Sequence, residues 1–118
     1  MNTQEVANAF TALCKAGKFD EAGQQFWADN VVSIEAMEGE GARAEGRKAV
    51  EAKGEWWYAN HEIHSVKVEG PYVNGDQFIV RFTLDVTPKG GQRMGMDEMG
   101  AYTVQDGKVT EERFFYGS

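Results

Sequence analysis

Phe78, Val80, Phe82, Leu84 and Val86 are all apolar, while Ile79, Arg81, Thr83 and Asp85 between them are mostly polar. That period of two fits a β-strand with one buried face and one wet face. Such a strand needs a sheet around it and a cover over its apolar face. Residues 63–69, 77–87, 92–105 and 108–116 are β runs rich in valine, phenylalanine and tyrosine. Asn74-Gly75-Asp76, Lys89-Gly90-Gly91 and Asp106-Gly107 stand between them as hairpin turns. The second half of the chain is thus an antiparallel meander of four strands.

The first half supplies the cover. Asn2 with Glu5 is a capping-box pattern, and Val6, Ala9, Phe10, Leu13 and Cys14 follow at helical spacing up to a stop at Gly17. A second helix carries Phe19, Ala22 and Phe26 on one stripe, with Trp27 beside it. Ala28-Asp29-Asn30 reads as a turn and residues 31–35 as a short strand. Residues 38–46 (EGEGARAEG), which include Glu40, read as a mobile flap. A third helix spans about Arg47 to Asn60, with Val50 and Trp57 on its buried side. Helices gathered at one end of the chain and strands at the other give an α+β domain.

A length of 118 residues is one domain, 1–118, because two halves could not each bury a core without staples. The lone cysteine, Cys14, excludes an intramolecular disulfide and a four-cysteine zinc site. A net charge of −7 repels phosphate backbones and anionic lipid, so neither nucleic acid nor a membrane surface is an expected partner. MNTQEVANAF has no basic or apolar signal region, which makes the cytoplasm the expected address.

Strand alternation also assigns faces. In 92–105, Met94, Met96, Glu98, Gly100, Tyr102 and Val104 form the more apolar face, which carries Glu98 inward. In the last strand one face holds Thr110, Glu112, Phe114 and Tyr116, and the other Val109, Glu111, Arg113 and Phe115. Each face has an aromatic residue, so the period does not choose between them.

Several segments resemble the SnoaL-like proteins of the nuclear transport factor 2-like superfamily. FTALCKAGKFDEA is similar to the first helix, glycine stop and second helix of that family, and FWADNVVSIE to the strand that follows. WWYANHE resembles the end of its third helix, and AYTVQDGKVTEERFFY its final hairpin. The resemblance implies a cystatin-like cone, with three N-terminal helices packed in a curved, mostly antiparallel sheet around an apolar pocket. It also implies a homodimer through the outer sheet face. Within that superfamily, the general base of ketosteroid isomerase falls on Glu35, and its aromatic pair on Trp57 and Tyr58. Its two oxyanion-hole donors fall on Phe10 and approximately on Gly100, neither of which donates a side-chain hydrogen bond. Losing one such donor costs about 2.7–4 kcal/mol of transition-state stabilisation, which argues against ketosteroid isomerase activity. The same register turns Glu112, Phe114 and Tyr116 inward.

The candidate catalytic residues are therefore Glu35, Glu98 and Glu112. A carboxyl on the wall of an apolar pocket is desolvated and its pKa rises, which suits a general base or acid. Glu98 and Glu112, on paired strands facing one interior, would share a proton. Phe10, Trp57, Tyr58, His64, Phe78, Phe82, Met94, Met96, Tyr102, Phe114 and Tyr116 are the expected ligand-binding wall. His61-Glu62-Ile63-His64 lacks the i, i+4 helical spacing of a zinc pair, and no metal or other cofactor is expected. Gly41 to Gly46 lacks the lysine and hydroxyl of a phosphate loop. The leading expectation is a protein that binds a small apolar or aromatic molecule and performs cofactor-free acid–base chemistry of isomerase, cyclase or hydratase type. The alternative is a non-catalytic ligand carrier or dimeric interaction module of the same fold. On the outer face, Ile79, Met99, Ala101, Val109 and Phe115 form the apolar patch expected to meet a second copy, with Arg81, Arg113, Asp85 and Glu111 supplying charges at the seam.

Overall fold

Asn2 caps α1 (Thr3–Lys15) as its capping box predicts. Its side chain accepts from the Glu5 backbone N–H at 2.8 Å, and its own N–H donates to Glu5 Oε1 at 3.1 Å. Helix α2 (Phe19–Phe26) runs directly into strand β1 (Trp27–Ile34). Gly23 makes that junction possible, because a Cβ on it would lie 2.6 Å from the Trp27 ring. β2 (Arg43–Glu45), α3 (Arg47–Asn60), β3 (His61–Asn74), β4 (Gln77–Pro88), β5 (Met94–Gln105) and β6 (Lys108–Phe115) follow. The computed structural model describes residues 1–39 and 41–116, so Glu40 lies outside the described residues.

Among these residues the strands form one sheet in the order β2-β1-β6-β5-β4-β3. β3 to β6 are the antiparallel meander, while β1 joins β6 in parallel. The alternation of β4 holds throughout: Phe78, Val80, Phe82, Leu84 and Val86 are each no more than 9% exposed. They meet Val6, Ala7, Phe10 and Cys14 of α1 and Ala22 and Phe26 of α2 in the core. Phe10 sits edge-on to Phe78 at 5.8 Å and tilted on Tyr102 at 4.8 Å, and Phe78 stacks on Tyr102 at 4.9 Å. These rings fill the middle of the cone.

Three local expectations need correction. Arg43–Glu45 is not part of an open flap; it pairs with β1 as β2, and the Glu35 N–H donates to the Ala42 carbonyl at 2.7 Å to close the hairpin. Ala28-Asp29-Asn30 is not a turn but an irregular stretch inside β1, where the pairing with β6 shifts register. Val109 does not face outward: it is fully buried. Tyr102 pairs with Glu112 and Thr103 with Glu111, but Val104 pairs with Val109, which leaves Thr110 as an extra residue. This β-bulge lets both Val109 and Glu112 point inward despite their odd spacing.

Candidate functional site

β1 leads to Glu35, which lies below α3. From α3, Lys53 reaches down with its Nζ 2.6 Å from Glu35 Oε1 and 2.7 Å from Ser33 Oγ, to which it donates. The Tyr116 hydroxyl donates to the other carboxylate oxygen, Glu35 Oε2, at 3.1 Å. The Lys53 ammonium also lies 5.2 Å from the centroid of the Phe114 ring. The Lys53 and Glu35 side chains are 24% and 23% exposed, so the pair borders solvent.

Glu98 and Glu112 enter from the sheet. Glu98 stands opposite Phe82 on the inner face of β5 and is half-buried. Burial pushes its carboxyl up to about 7, with the Glu35 charge adding to that and Lys53 opposing it. Glu112 is buried opposite Tyr102. Burial pushes it also up to about 7; Lys53 and the Trp27 indole N–H oppose the rise, and Glu35 and Glu98 add to it. The indole faces this carboxyl without closing a hydrogen bond. Trp27 Nε1 and Glu112 Oε1 are both buried with no hydrogen-bond partner among the described residues. Burial and then the Glu112 charge push the Cys14 thiol up to about 12, which makes it a poor nucleophile. Desolvation, with Asp20, Cys14 and Glu112 adding, also raises the Tyr58 hydroxyl, although this side chain is 39% exposed at the end of α3.

Twelve of the fourteen expected site residues fall into three groups. Glu35, Glu98, Glu112, Phe114 and Tyr116 come together around Lys53. Tyr58 and Tyr102 stand within electrostatic reach of Glu112. Phe10, Phe78 and Phe82 are buried core, Met96 packs against that core, and Trp57 stacks on His61 at 4.3 Å. Two expectations fail: His64 is the exposed extra residue of a bulge in β3 and contacts Thr87 Oγ1 at 2.8 Å, and Met94 is 47% exposed at the free end of β5. Neither reaches the carboxyls. Glu98 and Tyr116 open instead into a depression of about 450 Å³, shared with Ala36, Arg81, Asp97, Met99 and Phe115. It wraps the sheet edge where β5 outruns β6, and is open rather than an enclosed cone pocket.

Lys53 is the residue that the strand-based reading misses. Its signal is present in α3: it lies three residues after Val50 and four before Trp57, on the stripe those two define.

The comparisons agree with this architecture. A structure from Mesorhizobium loti, provisionally named a SnoaL-like polyketide cyclase with "carbohydrate phosphatase" added in brackets, is 53% identical to this chain. It superposes with a TM-score of 0.96 over 98% of this chain and 100% of that one. A protein of unknown function with a cystatin-like fold from Xanthomonas campestris is 15% identical, with a TM-score of 0.80 over 100% of this chain and 92% of that one. A structure from Bacillus subtilis, provisionally named an isomerase, is 20% identical, with a TM-score of 0.77 over 99% and 90%. The last two show the fold alone. No protein of curated function matches the sequence. The model of the SnoaL-like domain matches residues 1–116, and the chain belongs to that family.

Proposed function

We propose that this protein is a cofactor-free proton-transfer enzyme acting on a small carbonyl compound with an apolar or aromatic frame. The observation that carries the reading is Glu98, an inner-face carboxyl that burial pushes up to about 7 and that borders an open depression. A general base works best when its pKa lies near the working pH. Glu98, in its ionised form, takes a proton from the carbon beside the carbonyl and returns it elsewhere on the substrate. Glu112, buried four residues further along the sheet opposite Tyr102, adds its charge to the field around the site. Glu35, expected from the resemblance to be the base, is engaged by Lys53 and Tyr116 and serves as their anchor.

The name of the Mesorhizobium relative supports this reading, since closing a polyketide ring requires removal of a proton from carbon flanked by carbonyls. The phosphatase term in the same name fits less well: three carboxyls around Lys53 disfavour a phosphate dianion. The alternative of a non-catalytic ligand carrier rests on the filled cone and on the satisfied carboxylate of Glu35. The outer face of the sheet is the second part of the proposal. Tyr72, Ile79, Met99 and Phe115 are all exposed there, and the register places Tyr72 beside Ile79 and Met99 beside Phe115. A second copy of the chain covers this patch, and because Met99 and Phe115 also line the depression, the partner becomes part of the wall of the site.

Deuterium uptake at the acidic carbon of 2-tetralone, followed by NMR, tests the chemistry without knowledge of the natural substrate. The wild type exchanges faster than buffer, and Glu98→Gln loses about 10²–10⁴-fold of that acceleration. Exchange by Glu98→Gln at the wild-type rate removes Glu98 as the base. No exchange by the wild type favours the carrier.

A further inference from the structure

Proton abstraction beside a carbonyl leaves negative charge on oxygen, and something must receive it. The positions that carry the two oxyanion donors in ketosteroid isomerase are of no use in this chain. Phe10 is core, and a Cβ on Gly100 would lie 2.7 Å from the Tyr102 hydroxyl, so the space beside Gly100 is already filled. Arg81 borders the depression, but it is held by Asp97 through two bonds of 3.0 and 2.6 Å and by Glu69 at 3.9 Å, all on the outer face. Lys53 is likewise paired with a carboxylate, Glu35 at 2.6 Å, but differs in its surroundings. It stands on the inner side, its side chain borders solvent, and its charge acts on Glu98 and Glu112 as well as on Glu35. Ser33, Glu35 and the Phe114 ring fix the direction of its ammonium before any ligand arrives. A cation oriented in advance, at the edge of a partly dry site, stabilises developing charge without reorganisation.

We propose that the Lys53 ammonium is the receptor for a negatively charged oxygen, and that the site therefore selects enolates and phenolates carried on an apolar frame. The proposal deepens the proton-transfer reading and rests on it for the enolate. Glu35 holds Lys53 in place as a positioning residue, and Ser33 fixes it from the other side. The surrounding carboxyls restrict the ligand to one delocalised negative charge, since a more highly charged anion meets their repulsion.

The probe is 4-nitrophenol, whose ionisation is read directly from its visible absorbance. Bound to the wild type, the probe ionises about 1–3 pH units lower than when bound to Lys53→Met, because an opposite charge within a few ångströms favours the anion. Lys53→Arg restores most of the difference. Lys53→Met leaves Glu35 without its cation, so the double variant Glu35→Gln/Lys53→Met, which removes both charges together, serves as the check on folding. It shows the same loss. Equal ionisation of the probe on wild type, Lys53→Met and the double variant overturns the proposal, and so does failure of the wild type to bind the probe. The two readings fail separately. If Lys53-dependent ionisation persists while the wild type exchanges no deuterium into 2-tetralone, the proton-transfer reading falls and the anion receptor stands. If exchange is fast and unchanged in Lys53→Met, the receptor falls and Glu98 keeps its role.

Discussion

At the residue scale, the functional account turns on three carboxyls, Glu35, Glu98 and Glu112, and their counter-cation Lys53. Glu98 and Glu112 follow from strand alternation together with the resemblance, since each is an acid on an otherwise apolar face. Lys53 escaped because a lysine on a helix is ordinarily solvated, and only its place on the Val50–Trp57 stripe marks it. Two substitutions test the packing at this scale. Gly100→Ala must push the Tyr102 ring, which is stacked on Phe78 and tilted against Phe10 and has nowhere to go. Urea denaturation should report a loss of roughly 1–3 kcal/mol, as for overpacked cores. Glu112→Gln acts on the pH dependence. An acid whose folded pKa lies near 7, above the ordinary 4.5, binds more protons folded than unfolded between those values. Its stabilising effect is therefore present below about 4.5 and is lost as pH rises towards 7. For a buried carboxyl the loss is roughly 3 kcal/mol, and Glu112→Gln should flatten it.

At the element scale, regular segments were legible and irregular ones were not. The capped α1 and the alternating β4 are runs in which every residue agrees with one period. The β1–β2 hairpin and the bulges at Thr110 and His64 are places where backbone pairing overrides period. A bulge adds one residue without changing composition, so side-chain alternation cannot reveal it. The bulge in β6 matters most, because it sends Val109 and Glu112 to the same side. It makes a direct prediction: Val109→Asp should unfold the protein or cost several kcal/mol in urea denaturation, because the position is fully buried and offers no partner for a carboxylate. An outward-facing Val109 would tolerate the change. Ala101, on the opposite face of β5, is the control: Ala101→Ser should be close to neutral in the same measurement.

At the scale of the whole molecule, the sheet separates two surfaces, an inner one with the acid cluster and an outer one with exposed apolar side chains and ion pairs. Within the chain, Arg81 holds Asp97 at 2.6 Å and Arg93 holds Asp85 at 2.6 Å on the outer face. Exposed pairs of this kind contribute little, so the apolar row must carry the association. Sedimentation should give a dimer for the wild type at tens of micromolar and a monomer for Phe115→Lys; a wild-type monomer would contradict the second copy. No helix of the described residues is long and apolar enough to cross a membrane. The acid cluster is the feature on which the functional account depends, and carbon-detected NMR titration of the glutamate carboxyls measures it most directly. The account predicts that Glu98 and Glu112 titrate near 7, and that Glu98 moves down when Glu35 is replaced by glutamine. Titration of both carboxyls at or below about 4.5 would contradict it, because neither could then carry a proton at neutral pH.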